Sequence, residues 1–147
     1  MIAFLFEDVA YRLRNRRVLR SWIADAVVRE GYKEGALNYV FCSDERLREA
    51  NKQFLNHDYY TDIITFDDSV EGVLSGDMMI SVDRVRENAR GLNVRFEDEM
   101  HRVLAHGTLH LAGMKDGTED EKRAMRSAED RWLALRPIGV NVPRGTR

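Results

Sequence analysis

Two histidines and an aspartate in the segment 106–116 have the residue types and spacing of a metal site. His106 and His110 are four residues apart. On a helix such residues lie about 40° apart around the axis, so both imidazoles can reach one ion. Gly113 offers a helix end, after which the chain can turn back and present Asp116 as a third ligand. Two nitrogens and one carboxylate oxygen suit zinc with one coordination position left open, which is typical of catalytic rather than structural zinc sites.

The residue after the first histidine separates two classes of metal-dependent hydrolase. In His-Glu-x-x-His metalloproteases this position holds the glutamate that acts as general base, whereas here it is Gly107. A peptidase would therefore lack its usual base. Metal-bound water can have a pKa near 7 without a partner base, so hydrolysis stays possible. A substrate with a chiefly anionic transition state, such as a phosphodiester, fits better than a peptide.

Hydrophobic periodicity predicts the elements that would position these residues. We expect strands at 1–7, 35–42, 61–66 and 77–82, with a turn region at 72–76, and helices at 18–30, 43–55, 83–91, 96–111 and 119–135. Ser43 and Asp83 are the expected N-caps of the second and third helices. The sequence thus predicts an α+β fold with a single four-stranded mixed sheet, about five helices packed on it and the metal site at the end of a central helix.

The helix that carries the histidines has an apolar stripe centred near Val103, Gly107 and Leu111. His106 and His110 fall at the edge of this stripe, where a cleft would form against a neighbouring helix. His101 lies about 140° around the wheel from His106, and we expect it to be exposed to solvent. Gly107 would let another part of the backbone approach the helix closely.

Length and composition limit the classes of protein that fit this chain. The 147 residues predict a single metal-dependent hydrolase domain over 1–140, and the tail 141–147 resembles the remnant of a protease site. A lone cysteine, Cys42, excludes cysteine-rich zinc sites and internal disulfides. The absence of a long apolar run or a signal-peptide pattern predicts a cytoplasmic protein that does not bind membranes. A net charge of −2 is not typical of a nucleic-acid-binding protein.

The segments 61–66, 76–81 and 106–113 carry three motifs that, in this order, resemble the YbeY family of bacterial rRNA-maturation endoribonucleases. The family signature His-Gly-x-Leu-His-Leu-x-Gly-Tyr-Asp-His is matched at 106–111 and at Gly113. The stretch 61–66 is similar to the family's Pro-Thr-Asp-Val-Leu-Ser-Phe, with Tyr60 in place of the proline. The stretch 76–81 matches its Gly-Asp-Ile-x-Ile strand.

Two departures from the family pattern concern the chemistry. The family's third histidine aligns with Asp116, which remains a competent zinc ligand but should make the bound ion a weaker Lewis acid. An arginine that the family carries six residues before the threonine falls on Leu55. Because phosphate charge then needs another donor, we name His57 and Lys52 as candidates. Asp62 and Asp77 are candidate partners of the ligand histidines or substrate contacts.

The resemblance implies a zinc-dependent, single-strand-specific endoribonuclease in 16S rRNA 3′-end maturation and ribosome quality control. One Zn²⁺ would be held by His106, His110 and Asp116. The implied partners are single-stranded precursor rRNA and the ribosome or its proteins. The attacking nucleophile is left open. Two alternatives also stay open: a metallopeptidase-like hydrolase, and a ribosome- or RNA-binding module whose zinc is structural.

Overall fold

Five helices and four strands make up the part of the chain that the structure, a computed structural model, describes, which is residues 1–137. In chain order the elements are β1 (Ile2–Phe6), α1 (Arg16–Arg29), β2 (Lys33–Cys42), α2 (Asp44–Leu55), β3 (Ile63–Asp67), β4 (Val73–Ser81), α3 (Val82–Leu92), α4 (Phe96–Leu111) and α5 (Glu119–Ala134). The expected α+β fold with a four-stranded mixed sheet is confirmed. The predicted tail 141–147, like the boundary at 140, lies outside the described residues.

The strands form one sheet in the order β1-β2-β4-β3 across residues 1–137. β1 is parallel to β2 and β2 is parallel to β4, whereas β3 is antiparallel to β4. The parallel pairs are joined through helices, as parallel connections require. β3 reaches β4 through a tight turn in which Glu71 and Gly72 have positive φ.

The sheet separates two hydrophobic clusters. Alternate β2 residues Leu37, Tyr39 and Phe41 are fully buried on the face that carries α1, α4 and α5, as the alternating pattern predicts. Cys42 points to the opposite face, where it packs with Leu47 of α2 in a smaller cluster. The cysteine is thus a buried apolar residue of the sheet.

Two predicted boundaries are wrong for local reasons. Gly76 lies within β4 and not in a turn, because β4 already begins at Val73 and Gly76 pairs with both neighbouring strands. Ser81, not Asp83, is the N-cap of α3, since its Oγ accepts a hydrogen bond from the Arg84 amide at 3.0 Å. The Asp83 carboxylate accepts instead from the Asp44 amide in the first turn of α2, at 2.9 Å.

Helix α4 is the central helix, with contacts to α3, α5, β3 and β4. The expectation that His101 is exposed is therefore wrong: it is 2% exposed and lies 5.9 Å from the Trp22 ring of α1, between ring centroids. A helical wheel assumes one buried face, whereas α4 is covered on several sides. Among residues 1–137 no helix combines the length and the apolar character needed to cross a membrane.

Candidate metal centre

Three donor atoms converge at the carboxyl end of α4. His106 Nε2 and His110 Nε2 are 2.9 Å apart, and Asp116 Oδ2 lies 3.3 Å from each of them. The two histidine side chains are about a quarter exposed and that of Asp116 is 44% exposed. The three donors thus lie together at a partly exposed position.

The other nitrogen of each imidazole is held by an acceptor. His106 Nδ1 lies 2.6 Å from Glu129 Oε2, and His110 Nδ1 lies 2.9 Å from the carbonyl oxygen of Met114. A carbonyl or an ionised carboxylate can only accept, so each Nδ1 carries the hydrogen. In the neutral rings both Nε2 atoms then present lone pairs to each other and to the Asp116 carboxylate.

This donor set fits a metal ion. Three lone-pair-bearing atoms within about 3 Å repel one another unless a cation lies between them. At zinc–ligand bonds of about 2.0–2.1 Å and tetrahedral angles, neighbouring donors are about 3.3 Å apart. Both carboxylate–imidazole distances in the centre equal that value. The residues that could hold a divalent ion are therefore His106, His110 and Asp116.

Glu129 belongs to a charged network that continues away from the centre. Its Oε1 accepts from Arg102 Nη1 at 2.9 Å, and Arg102 Nη2 donates to Asp130 at 2.8 Å. Burial alone would raise the pKa of the Glu129 carboxyl, but the hydrogen bonds from His106 and Arg102 outweigh burial and lower it. The same carboxylate raises the pKa of His106 against the opposing effect of burial. Glu129 is therefore an anion that fixes the orientation of His106.

The turn after α4 brings Asp116 back toward the histidines. Gly113 adopts φ +97°, a left-handed conformation that ends the helix and that glycine adopts without strain. The Gly113 amide donates to the His110 carbonyl and the Met114 amide to that of Leu109. Tyr32 Oη also donates to the Ala112 carbonyl at 2.8 Å, which ties this turn to the segment before β2.

Gly107 faces the sheet and not the metal centre. A Cβ atom at this position would lie 2.6 Å from Ile63 Cδ1 and 3.2 Å from Met78 Sδ. The prediction that backbone approaches the helix here is wrong, because the atoms closest to Gly107 belong to side chains of β3 and β4. A side chain at position 107 would point into the sheet, so a glutamate there would not reach an ion held by the two histidines. The arrangement of glutamate and zinc found in the metalloproteases is therefore excluded at this position.

A cavity of about 300 Å³ opens beside His106, between α4 and α5. Its walls carry three acids and three cations: Asp62, Glu99, Glu129, Arg102, Lys122 and Arg126. Burial raises the pKa of both Asp62 and Glu99. Asn88 Nδ2 donates to Asp62 Oδ2 at 3.2 Å and so orients that carboxyl.

A sequence model described as Endoribonuclease YbeY matches residues 7–135, which is most of the chain. The chain belongs to the YbeY family. It is 53% identical over 136 residues to the Endoribonuclease YbeY of Cytophaga hutchinsonii, covering 92% of this chain and 95% of the relative. It is 47% identical over 134 residues to that of Porphyromonas gingivalis, covering 91% and 89%. The solution structure of a Thermotoga maritima protein matches with a TM-score of 0.62 and 25% identity, covering 100% of this chain and 99% of that one.

The four residues predicted to assist this YbeY centre do not lie together in the structure. Asp62 lines the cavity beside His106. Asp77 does not, because it lies on the opposite face of the sheet, in a cavity of about 510 Å³ next to α2, where it accepts from Asn38 Nδ2 at 2.8 Å. Asp77 is therefore not a partner of the ligand histidines. Lys52 and His57 are exposed on α2 and just after it, and neither is among the residues that line the cavity beside His106.

Sequence reasoning missed the residues of α4 and α5 that complete this YbeY centre. Lys122, Arg126 and Glu129 follow one another at spacings of four and three, which places them on one face of α5. Arg102 lies four residues before His106 on α4. These spacings were visible in the sequence, but α5 contains so many charges that none of them stands out without the packing.

Proposed function

We propose that the protein is a zinc-dependent endoribonuclease that cleaves single-stranded RNA at the centre formed by His106, His110 and Asp116. The observation that carries this proposal is the convergence of three donor atoms whose imidazoles are each oriented by an acceptor on the far nitrogen. Membership of the YbeY family, whose members are named endoribonucleases, supplies the substrate class. A divalent ion held there would act as Lewis acid on a phosphodiester.

The residues around the centre have two further roles, which are contact with RNA phosphates and proton transfer. Arg126 and Lys122, at the mouth of the cavity beside His106, are positioned to contact RNA phosphates. Arg126 forms no hydrogen bond or ion pair within residues 1–137, so its guanidinium is available for a ligand. These cations of α5 are better placed than Lys52 or His57 to replace the charge lost at Leu55. Asp62 and Glu99, whose pKa values are raised by burial, are the acids in this cavity able to hold or transfer a proton.

The biological setting that we propose is maturation of the 16S rRNA 3′ end and ribosome quality control in the cytoplasm, with ribosomal proteins as partners. The net charge of −2 supports assistance by such partners, because a near-neutral protein gains little affinity from phosphate contacts alone. Tight binding of single-stranded RNA by the isolated protein at physiological salt would contradict this part of the proposal.

The test compares zinc content and cleavage of a single-stranded RNA in four proteins: the natural chain, His106→Ala, Asp116→Ala and Asp116→His. We expect His106→Ala to lose both zinc and cleavage, and Asp116→Ala to lose most of both, while each stays folded by circular dichroism. Asp116→His keeps three donors and should retain zinc. Unchanged cleavage by folded His106→Ala would overturn the proposal, and unfolding of that variant with cleavage retained in its folded fraction would assign zinc a structural role.

A further inference from the structure

Two aromatic rings are displayed on the surface between α2 and β3. The rings of His57 and Tyr59 stack with centroids 5.3 Å apart and planes 27° apart, and Tyr59 Oη lies 3.3 Å from His57 Nδ1. Tyr59 is 53% exposed. Among the described residues neither side chain makes a hydrogen bond or ring contact except with the other. The pair therefore leaves an outer ring face uncovered.

The backbone under this pair is fixed by one buried residue. Asn51 of α2 is 1% exposed; its carbonyl accepts from the His57 amide and its Nδ2 donates to the Tyr59 carbonyl, both at 3.1 Å. Asn56 provides the turn between α2 and this segment, with φ 56°. The rings are thus held in place by a buried amide rather than being exposed on a loose loop.

The neighbouring tyrosine, Tyr60, has a structural role, in contrast to Tyr59. Tyr60 Oη donates to Glu45 at 2.7 Å, and the guanidinium groups of Arg48 and Arg84 lie 5.1 and 5.2 Å from its ring centroid. Tyr60 is therefore occupied by contacts within the protein. Tyr59, the residue before it, has its ring available.

The pair lies close along the chain to Asp62, a residue of the cavity beside His106. Tyr59 is three positions before Asp62, so their Cα atoms can be no more than about 11 Å apart. Asp62 lines the cavity beside His106. Lys52, in the last turn of α2, is exposed and has no ion-pair partner within residues 1–137.

We propose that the His57–Tyr59 pair is a stacking platform for an unpaired base of the RNA strand that enters the metal centre, an inference that rests on the proposed function. Exposed aromatic rings are a usual means of binding single-stranded nucleic acid, because every base has a face that stacks. The platform begins two positions after Leu55, where the arginine of the family pattern is absent. Stacking then supplies part of the strand affinity that the missing cation would have supplied.

Equilibrium binding by fluorescence anisotropy tests the platform separately from catalysis. The protein with its bound metal is titrated into a labelled 2′-O-methyl oligouridylate, or into an oligomer of equal length that lacks bases. We expect Tyr59→Ala to weaken oligouridylate binding about 5- to 100-fold, as loss of one stacked base does, and to leave binding of the base-free oligomer unchanged. Tyr59→Phe keeps the ring and should bind as the natural chain does. Leu92→Ala, which removes an exposed apolar side chain of α3, is the matched control.

Three results would overturn the platform. Unchanged oligouridylate binding by Tyr59→Ala, in a natural chain that still cleaves RNA, would remove it while leaving the proposed function intact. An equal loss of affinity for the base-free oligomer would show that Tyr59 acts on the RNA backbone. Self-association of the protein that Tyr59→Ala abolishes without a change in RNA affinity would assign the rings to a protein contact. If the natural chain neither binds nor cleaves RNA, both proposals fail.

Discussion

Glu129 connects the candidate metal centre to α5. Its carboxylate accepts from His106 Nδ1 and is itself held by Arg102. Carboxylates in this position fix the ring orientation and increase the basicity of a ligand histidine. The individual acid of α5 that matters for the centre is thus identified by one short contact of 2.6 Å.

We expect Glu129→Gln to lower zinc affinity about 10- to 100-fold, because the amide no longer stabilises the oriented imidazole as a carboxylate does. Isothermal titration with a competing chelator measures this affinity. Asp130→Asn is the matched control, since Asp130 also accepts from Arg102 but makes no contact with His106. Equal affinities for the two variants would contradict the role of Glu129.

Asp116 shows how far single residues can be interpreted from sequence. His106, His110, Gly113 and Asp116 lie within one local segment, so helix geometry and a glycine stop are enough to bring them together. The Glu129 contact spans 23 residues and two helices, and its prediction would require knowledge of how α4 packs on α5. Long-range polar contacts of this kind are set by packing and leave little trace in local patterns.

The packing of helix α4 on the sheet depends on a glycine in strand β4. Gly76 of β4 lies under Leu111, and a Cβ atom there would be 2.5 Å from the Phe66 carbonyl oxygen of β3 and 3.1 Å from both Leu111 Cδ atoms. A backbone carbonyl in the sheet cannot move away from an added Cβ atom as a flexible side chain can. The missing side chain therefore lets β3, β4 and the end of α4 meet next to the candidate metal ligands.

Gly76→Ala should lower the free energy of unfolding by about 1–3 kcal/mol through overpacking. Gly91→Ala is the matched control, because Gly91 lies in helix α3 with nothing within 4 Å of the added Cβ. That variant should be more stable by up to about 1 kcal/mol, from the higher helix propensity of alanine. Urea denaturation at equilibrium measures both values, and destabilisation of the two variants by the same amount would contradict the packing argument.

The elements themselves were largely predictable, and the exceptions have local causes. Alternation in β2 and the Ser43 cap of α2 are strong patterns, and both are confirmed. Gly76 suggests a turn because glycine is rare within strands. Asp83 is an effective cap in general, but Ser81 takes the cap position, which leaves Asp83 to bind the first turn of α2.

At the scale of the whole molecule, burial of α4 on several sides makes stability dependent on pH through His101. Burial, together with the nearby Arg136 guanidinium, lowers the pKa of His101 from the ordinary value of 6.5 to about 4. Arg136 Nη1 lies 2.7 Å from His101 Nδ1, which accepts its hydrogen bond. The folded protein therefore keeps this imidazole neutral at pH values where the unfolded chain protonates it.

The fold is not destabilised by the buried neutral His101 above pH 6.5, where the unfolded chain is neutral there too. As the pH falls from 6.5 toward 4, the protein loses stability, because the unfolded chain binds the proton more readily than the folded one. The difference between the two pKa values corresponds to at most about 3 kcal/mol. We expect His101→Gln to lose less stability than the natural chain between pH 6.5 and 4 in urea denaturation. His57→Gln, at an exposed position, is the control. If both variants lose as much stability between pH 6.5 and 4 as the natural chain, the role of His101 is contradicted.

We propose that RNA cleavage depends on one divalent ion held by His106, His110 and Asp116. The most direct measurement is the rate of single-stranded RNA cleavage by chelator-treated protein as Zn²⁺ is added back. We predict no cleavage without the ion and a rise that reaches its plateau near one Zn²⁺ per chain, with no rise for His106→Ala. Cleavage at the native rate by protein shown to be free of metal would contradict the claim.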